Sequence, residues 1–185
     1  VFMTTAALLD LDIRWIYGTE SVISCTITPA QLEDVLISET PAAVYITSPD
    51  YLGNIADINS LSAVCKKHGV LLLVDNAHGA YLRFLPEPMH PMQLGADICC
   101  DSAHKTLPVL TGGAYLHIAH GTPDMLAQRA ESAMALFAST SPSYLILQSL
   151  DAMNPLLATS FPAQLKACAE RLDTLKAKLR AHGYA

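Results

Sequence analysis

The chain has 185 residues, of which 51% are hydrophobic and 15% charged, enough apolar material for one domain with a sizeable core. Its 17 acidic residues against 11 basic ones give a formal charge of −6, with no Lys/Arg run or basic-aromatic stripe, which argues against nucleic acid as a partner. No apolar run approaches the roughly 18 residues of a membrane span, and the first residues lack the basic region and cleavage pattern of a secretion signal, so no membrane partner is expected.

Strand-like runs alternate with amphipathic helices along the chain. Residues 13–17 (Ile-Arg-Trp-Ile-Tyr) read as a strand, Pro29–Ser38 as a helix with proline in its first turn, and Ala43–Thr47 as a strand. Asp57 is placed to cap a helix reaching His68, Gly69 to stop it, and residues 70–74 follow as a fully apolar strand. The next strands are expected at 97–100 and 113–118. The connection between them is too short for a crossover helix, which leaves the last strand free to run antiparallel. From Pro123 onward the chain reads as helical. Helices are expected over 142–153 and 162–180, the second with Leu165, Ala169, Leu172, Leu175 and Leu179 on one face. Continuous apolar strands separated by helices predict an α/β fold, a three-layer α/β/α domain whose mainly parallel sheet is covered on both faces.

The five cysteines are Cys25, Cys65, Cys99, Cys100 and Cys168. Their odd number, the absence of a Cys-x-x-Cys pair and the apolar setting of Cys99 and Cys100 mark them as reduced, structural thiols of a cytoplasmic protein, with no metal site expected.

Two residues stand out for chemistry. Lys105 follows the apolar strand that ends near Cys100, and Asp75 closes the strand before it. Either alone reads as a surface charge or a cap. Together they set an amine and a carboxylate on the carboxyl edge of one α/β sheet, where such folds bind ligands. That pairing suits pyridoxal 5'-phosphate, whose aldehyde takes the amine as a Schiff base and whose pyridine nitrogen needs a carboxylate to stay protonated.

A family pattern surrounds these residues. Thr47-Ser48-Pro49-Asp50-Tyr51-Leu52-Gly53, Leu73-Val74-Asp75-Asn76-Ala77-His78-Gly79-Ala80, Gly95-Ala96-Asp97, Ser102-Ala103-His104-Lys105-Thr106-Leu107-Pro108 and Ser139-Thr140-Ser141-Pro142-Ser143-Tyr144 occur in order and span most of the chain. In these the chain resembles the large domain of the fold-type-I pyridoxal-phosphate enzymes, the aspartate-aminotransferase superfamily. Within it the chain is most similar to the ornithine/lysine/arginine decarboxylases, in their shorter bacterial arginine-decarboxylase-like branch. The resemblance implies a single partial large domain over residues 1–185, with the family's phosphate loop and ring-stacking histidine expected before Val1 and its small domain after Ala185. It also implies a seven-stranded sheet, two strands of which would come from upstream, one of them lying between 13–17 and 43–47. On that ground the chain alone is expected to be a poor catalyst.

Site roles follow from the same resemblance. Lys105 matches the lysine of the Schiff base, Asp75 the partner of the pyridine nitrogen, and Ala77 the small residue beneath the ring. His78 matches a ring near the substrate, or is a structural imidazole. Ser102 and His104 match phosphate contacts beside the lysine. Ser48 and Tyr51 approach the cofactor's phenolic oxygen, although a turn on Ser48-Pro49-Asp50 explains that segment equally well. Thr140 and Ser141 match residues brought across a homodimer interface, although Ser141 also reads as a helix cap before Pro142. The activity so implied is decarboxylation of arginine, lysine or ornithine. Asp75 and Lys105 by themselves leave room for an aminotransferase-like or cysteine-desulfurase-like enzyme, or a noncatalytic assembly paralogue.

Overall fold

The computed structural model describes residues 2–18, 26–137 and 141–184. Four strands, Ala43–Thr47 (β1), Leu71–Asp75 (β2), Ile98–Asp101 (β3) and Tyr115–Ile118 (β4), lie side by side in sequence order. The first three are parallel, and β4 runs antiparallel to β3 as the short connection allows.

Local signals account for the helices on one face. Helix α1 is Phe2–Leu8; α2 is Pro29–Ser38. At the start of α2, Thr28 Oγ1 accepts the Gln31 amide at 3.2 Å while Gln31 Oε1 accepts the Thr28 amide at 2.8 Å, a reciprocal cap with proline behind it. Helix α3, Ile58–His68, begins where Asp57 accepts the Ser60 amide at 3.1 Å and ends at Gly69, whose φ of 68° is the left-handed conformation that glycine adopts cheaply. Leu32 and Leu36 of α2 and Leu61 and Cys65 of α3 pack with Leu72 and Val74 of β2 into the main core. Each buried leucine contributes about 1.5–3 kcal/mol there. On the other face, Phe2 of α1 stacks on Tyr45 with ring centroids 4.1 Å apart. The architecture is three-layer α/β/α with a mainly parallel sheet.

A second apolar cluster, Ala80, Ala103 and Leu107 with Phe84, Leu150 and Phe161 against it, fastens the C-terminal half. It joins the single turn α4 (Ala103–Thr106) to α6 (Tyr144–Ala158) and α7 (Phe161–Ala181), with α5 (Asp124–Phe137) between.

Several sequence expectations are corrected, the strand expected at 113–118 among them, which begins only at Tyr115. Residues 13–17 form no strand: β1 pairs with β2 alone among the described residues, and an apolar alternation becomes a strand only if its backbone finds an edge to bond. Ile16 instead packs on the core, and the Tyr17 carbonyl accepts Gln31 Nε2 at 3.2 Å. Strands β2 and β3 each start one residue late. The Val70 amide is taken by the Cys65 carbonyl to finish α3, and Asp97 caps β2 by accepting the Leu72 amide at 2.8 Å. Helix α6 starts at Tyr144, not Pro142, because Ser143 supplies the first helical carbonyl, to Leu147 at 3.1 Å. The stripe on α7 is not a buried face: Leu172, Leu175 and Leu179 are exposed, and the helix anchors near its start, where Phe161 meets Phe84 edge-on.

Candidate active site

Register brings Thr47, Asp75, Cys100 and Leu116 into one row across the carboxyl end of the parallel strands. Side chains in such a row share a face. Asp75 is held from two sides. Its Oδ2 accepts the Tyr45 hydroxyl at 2.9 Å and its Oδ1 accepts the Ala77 amide at 3.0 Å. Burial, with the Asp75 charge adding to it, pushes the Tyr45 phenol well above its ordinary range, so Tyr45 remains a donor.

Lys105 sits on α4, a single turn closed by the Ser102 carbonyl accepting the Lys105 amide at 3.0 Å and anchored by buried Ala103 and Leu107. Its ammonium donates to His78 Nε2 at 3.2 Å. His78 reaches it from the turn after β2, and Tyr51 meets the imidazole edge-on with centroids 4.9 Å apart. Accepting at Nε2 assigns the ring proton to Nδ1, and that nitrogen is buried without a hydrogen-bond partner. Thr106 Oγ1, beside Lys105 in the chain, is likewise buried and unpartnered. An acceptor-rich group held beside Lys105 fits these orphaned polar atoms.

The turn itself depends on Gly79. A Cβ there would collide with Asn76 Oδ1 and lie 2.7 Å from Pro49 Cδ, so the two loops approach more closely than any side chain permits. His104 lies on the same one-turn helix as Lys105, but its Nδ1 donates to the Gly113 carbonyl at 3.0 Å, leaving Nε2 to face outward partners. Ser48 is buried and its hydroxyl accepts the Ala56 amide at 3.0 Å. Asp50 Oδ1 accepts the Leu52 and Asn54 amides, so the turn reading of that segment holds. Tyr51 is exposed and Ser141 is exposed; Thr140, with Ser139, lies outside the described residues.

Sequence reasoning missed four groups. Tyr45 was readable as a strand residue but not as the partner of Asp75, because the two lie on different strands. Asp101 and His90, both buried, meet the half-buried His117 in a cluster that no spacing announces. Asp101 Oδ2 accepts His90 Nε2 at 3.0 Å and His117 Nε2 at 2.9 Å.

Solved structures bear out the fold. Mouse CSAD superposes with a TM-score of 0.66 at 19% identity, over 97% of this chain and 42% of that one. The chain has the large-domain architecture of the fold-type-I pyridoxal-phosphate enzymes. It belongs to the Orn/Lys/Arg decarboxylase family, whose major-domain model matches residues 17–182. The arginine decarboxylase of Halalkalibacterium halodurans is 34% identical over 140 residues, which is 75% of this chain and 28% of that protein. Uncharacterized protein YaaO of Bacillus subtilis is 36% identical over 133 residues, 71% of this chain and again 28% of the relative. The chain therefore spans 28% of the length of either relative.

Proposed function

We propose that this chain is the cofactor-carrying part of a pyridoxal-phosphate-dependent decarboxylase acting on a basic amino acid: arginine, lysine or ornithine. The observation that carries the reading is the meeting of Lys105 and His78 beside a strand-end carboxylate, Asp75, in a chain of the Orn/Lys/Arg decarboxylase family. The cofactor, when bound, supplies a conjugated ring that absorbs the electron pair released when an α-carboxylate departs.

The protein's part is to bind, orient and move protons. Lys105 offers the amine that ties the cofactor down, and Asp75 the charge that keeps a pyridine nitrogen protonated. Tyr45 and the Ala77 amide fix the Asp75 carboxylate, so its oxygens are aimed before any ligand arrives. Ala77 leaves room for a flat ring. Ser102 and His104 flank the anion side; with Nδ1 committed to Gly113, His104 gives a phosphate a hydrogen bond from Nε2 when the ring is cationic. The Lys105–His78 pair is the proton store: a proton held at Nζ or Nε2 can pass to the α-carbon once the carboxylate has gone. Ser48 and Tyr51 border the same loop, and Thr140 and Ser141 are proposed to act across a homodimer interface. The protein is proposed to work in the cytoplasm.

Burial pushes the Cys99 thiol far above its ordinary value and raises Cys100 as well, so neither supplies the thiolate a desulfurase needs. The test is a product assay on purified, cofactor-loaded protein with arginine, lysine, ornithine, cysteine and a keto-acid acceptor. Amine and carbon dioxide from one of the basic amino acids support the reading; alanine or a new amino acid in their place removes it.

A further inference from the structure

Behind the site, on the face of β3 opposite Cys100, lies the buried carboxylate of Asp101, only 4% exposed. It is the last residue of β3, one position before Ser102 and four before Lys105. Its Oδ1 accepts Asn76 Nδ2 at 2.6 Å, and Asn76 is the residue directly after Asp75 and two before His78. The Asn76 amide also bonds the Cys100 carbonyl at 2.9 Å, and the Asn76 carbonyl accepts the Gly79 amide at 2.8 Å, closing the turn that presents His78. The Asn76–Asp101 side-chain bond and the Asn76–Cys100 backbone bond thus join the exits of the two strands that deliver the reactive residues.

Two imidazoles hold the carboxylate from the other side. His90, 2% exposed, reaches Oδ2 from the segment before the 3₁₀ turn Pro91–Gln93, and His117 reaches it from β4. Burial alone would push the Asp101 carboxyl up; hydrogen bonds from His117, His90 and Asn76 outweigh it and hold the group ionised. The nitrogens and oxygens lie within 4.8 Å of one another, as metal ligands would. Tautomer chemistry argues otherwise. His90 Nδ1 accepts the Met92 amide at 3.3 Å, so the ring proton sits on Nε2 and is donated to Asp101, whereas a metal would need that nitrogen bare.

We propose that Asp101, clamped by His90 and His117, is a positioning residue that acts through Asn76 to set His78 against Lys105. This rests on reading Lys105 and His78 as the reactive pair. Mobility of the turn Asn76–Gly79 relative to α4 is then governed by a carboxylate that touches neither residue. The clamp is a device of donors, so any side chain that donates from the position of His117 serves.

Amide hydrogen exchange on the 185-residue chain without cofactor tests it. In Asp101→Asn the Asn76, Gly79 and Lys105 amides exchange about tenfold faster, while Leu61 and Cys65 in α3 keep their protection. If that variant fails to fold, the partly exposed His117 serves instead. His117→Leu speeds exchange at the same amides and His117→Gln, which keeps a donor, restores it. Unchanged exchange at Asn76 and Gly79, or a glutamine variant as loose as the leucine one, overturns the proposal. So does slowing of the same amides by one equivalent of zinc(II), which would make the cluster a metal centre. Faster exchange in Asp101→Asn, in a protein that decarboxylates none of the basic amino acids, leaves the clamp standing and removes the reaction. Decarboxylation with exchange untouched by Asp101→Asn does the reverse.

Discussion

Lys105 Nζ lies 3.2 Å from His78 Nε2, although the residues are 27 positions apart and leave different strands. The contact exists because β2 and β3 are parallel neighbours whose carboxyl ends open on the same edge. The bond sets a nitrogen of each side chain within hydrogen-bond reach of the other, which is the distance a direct proton transfer between them needs.

If Lys105 is the anchoring amine, borohydride reduction of cofactor-treated protein followed by peptide mapping places a pyridoxyl group on the peptide containing Lys105. Lys105→Ala abolishes the label. A label on Lys66, at the far end of α3, would show the assignment to be wrong.

Asp75→Asn is expected to fold normally and to lose at least about a hundredfold in turnover, since a neutral amide no longer favours a protonated ring. Tyr45→Phe tests the aim of the carboxylate: the Oη contact to Oδ2 goes, Asp75 keeps its charge, and turnover falls about tenfold. Thermal midpoints of both variants stay close to wild type. An Asp75→Asn protein that decarboxylates at the normal rate with cofactor bound contradicts the role given to Asp75.

The parts of the molecule written in local chemistry were legible in advance. Asp57, Gly69 and Pro29 each act within a few residues of themselves, so α2 and α3 could be bounded from the sequence alone. The candidate pair was proposed from the sequence for another reason: Asp75 closes an apolar run and Lys105 follows one, and strand ends are where α/β sheets place ligands. What escaped depends on distant partners. Residues 13–17 have the alternation of a strand, but a strand is defined by its neighbour. His90 and His117 are 11 and 16 positions from Asp101, and only the fold reveals that they share a carboxylate.

Asp101 gives a prediction on acid stability. Its folded-state pKa lies below the ordinary 3.8, so the unfolded chain takes up a proton first. Its contribution to stability is whole above about pH 4 and is lost as pH falls through the depressed folded value. Urea midpoints measured from about pH 6 down to about pH 2 should therefore fall more steeply for wild type than for Asp101→Asn, the curves converging in acid. Parallel curves would mean that the carboxylate is not held as described.

Two glycine-to-alanine changes separate backbone strain from crowding. Gly69 has φ 68° and open space within 4 Å of where a Cβ would stand, so Gly69→Ala costs only the left-handed conformation, about 1 kcal/mol, and Gly69→Asn costs less. Gly79 has φ −121°, which any residue adopts, and its cost is all contact, with Asn76 on one side and Pro49 on the other. Neither neighbour can retreat freely: Asn76 is buried and bonded to Asp101, and Pro49 is ring-closed beside the buried Ser48. Gly79→Ala is expected to destabilise by about 1–3 kcal/mol and to move Asn76, carrying His78 with it. The two effects are read separately. Chemical denaturation gives the stability loss for both variants, and borohydride labelling of Lys105 slows only in Gly79→Ala. Equal labelling in the two proteins would show that the turn at Gly79 does not set the position of His78.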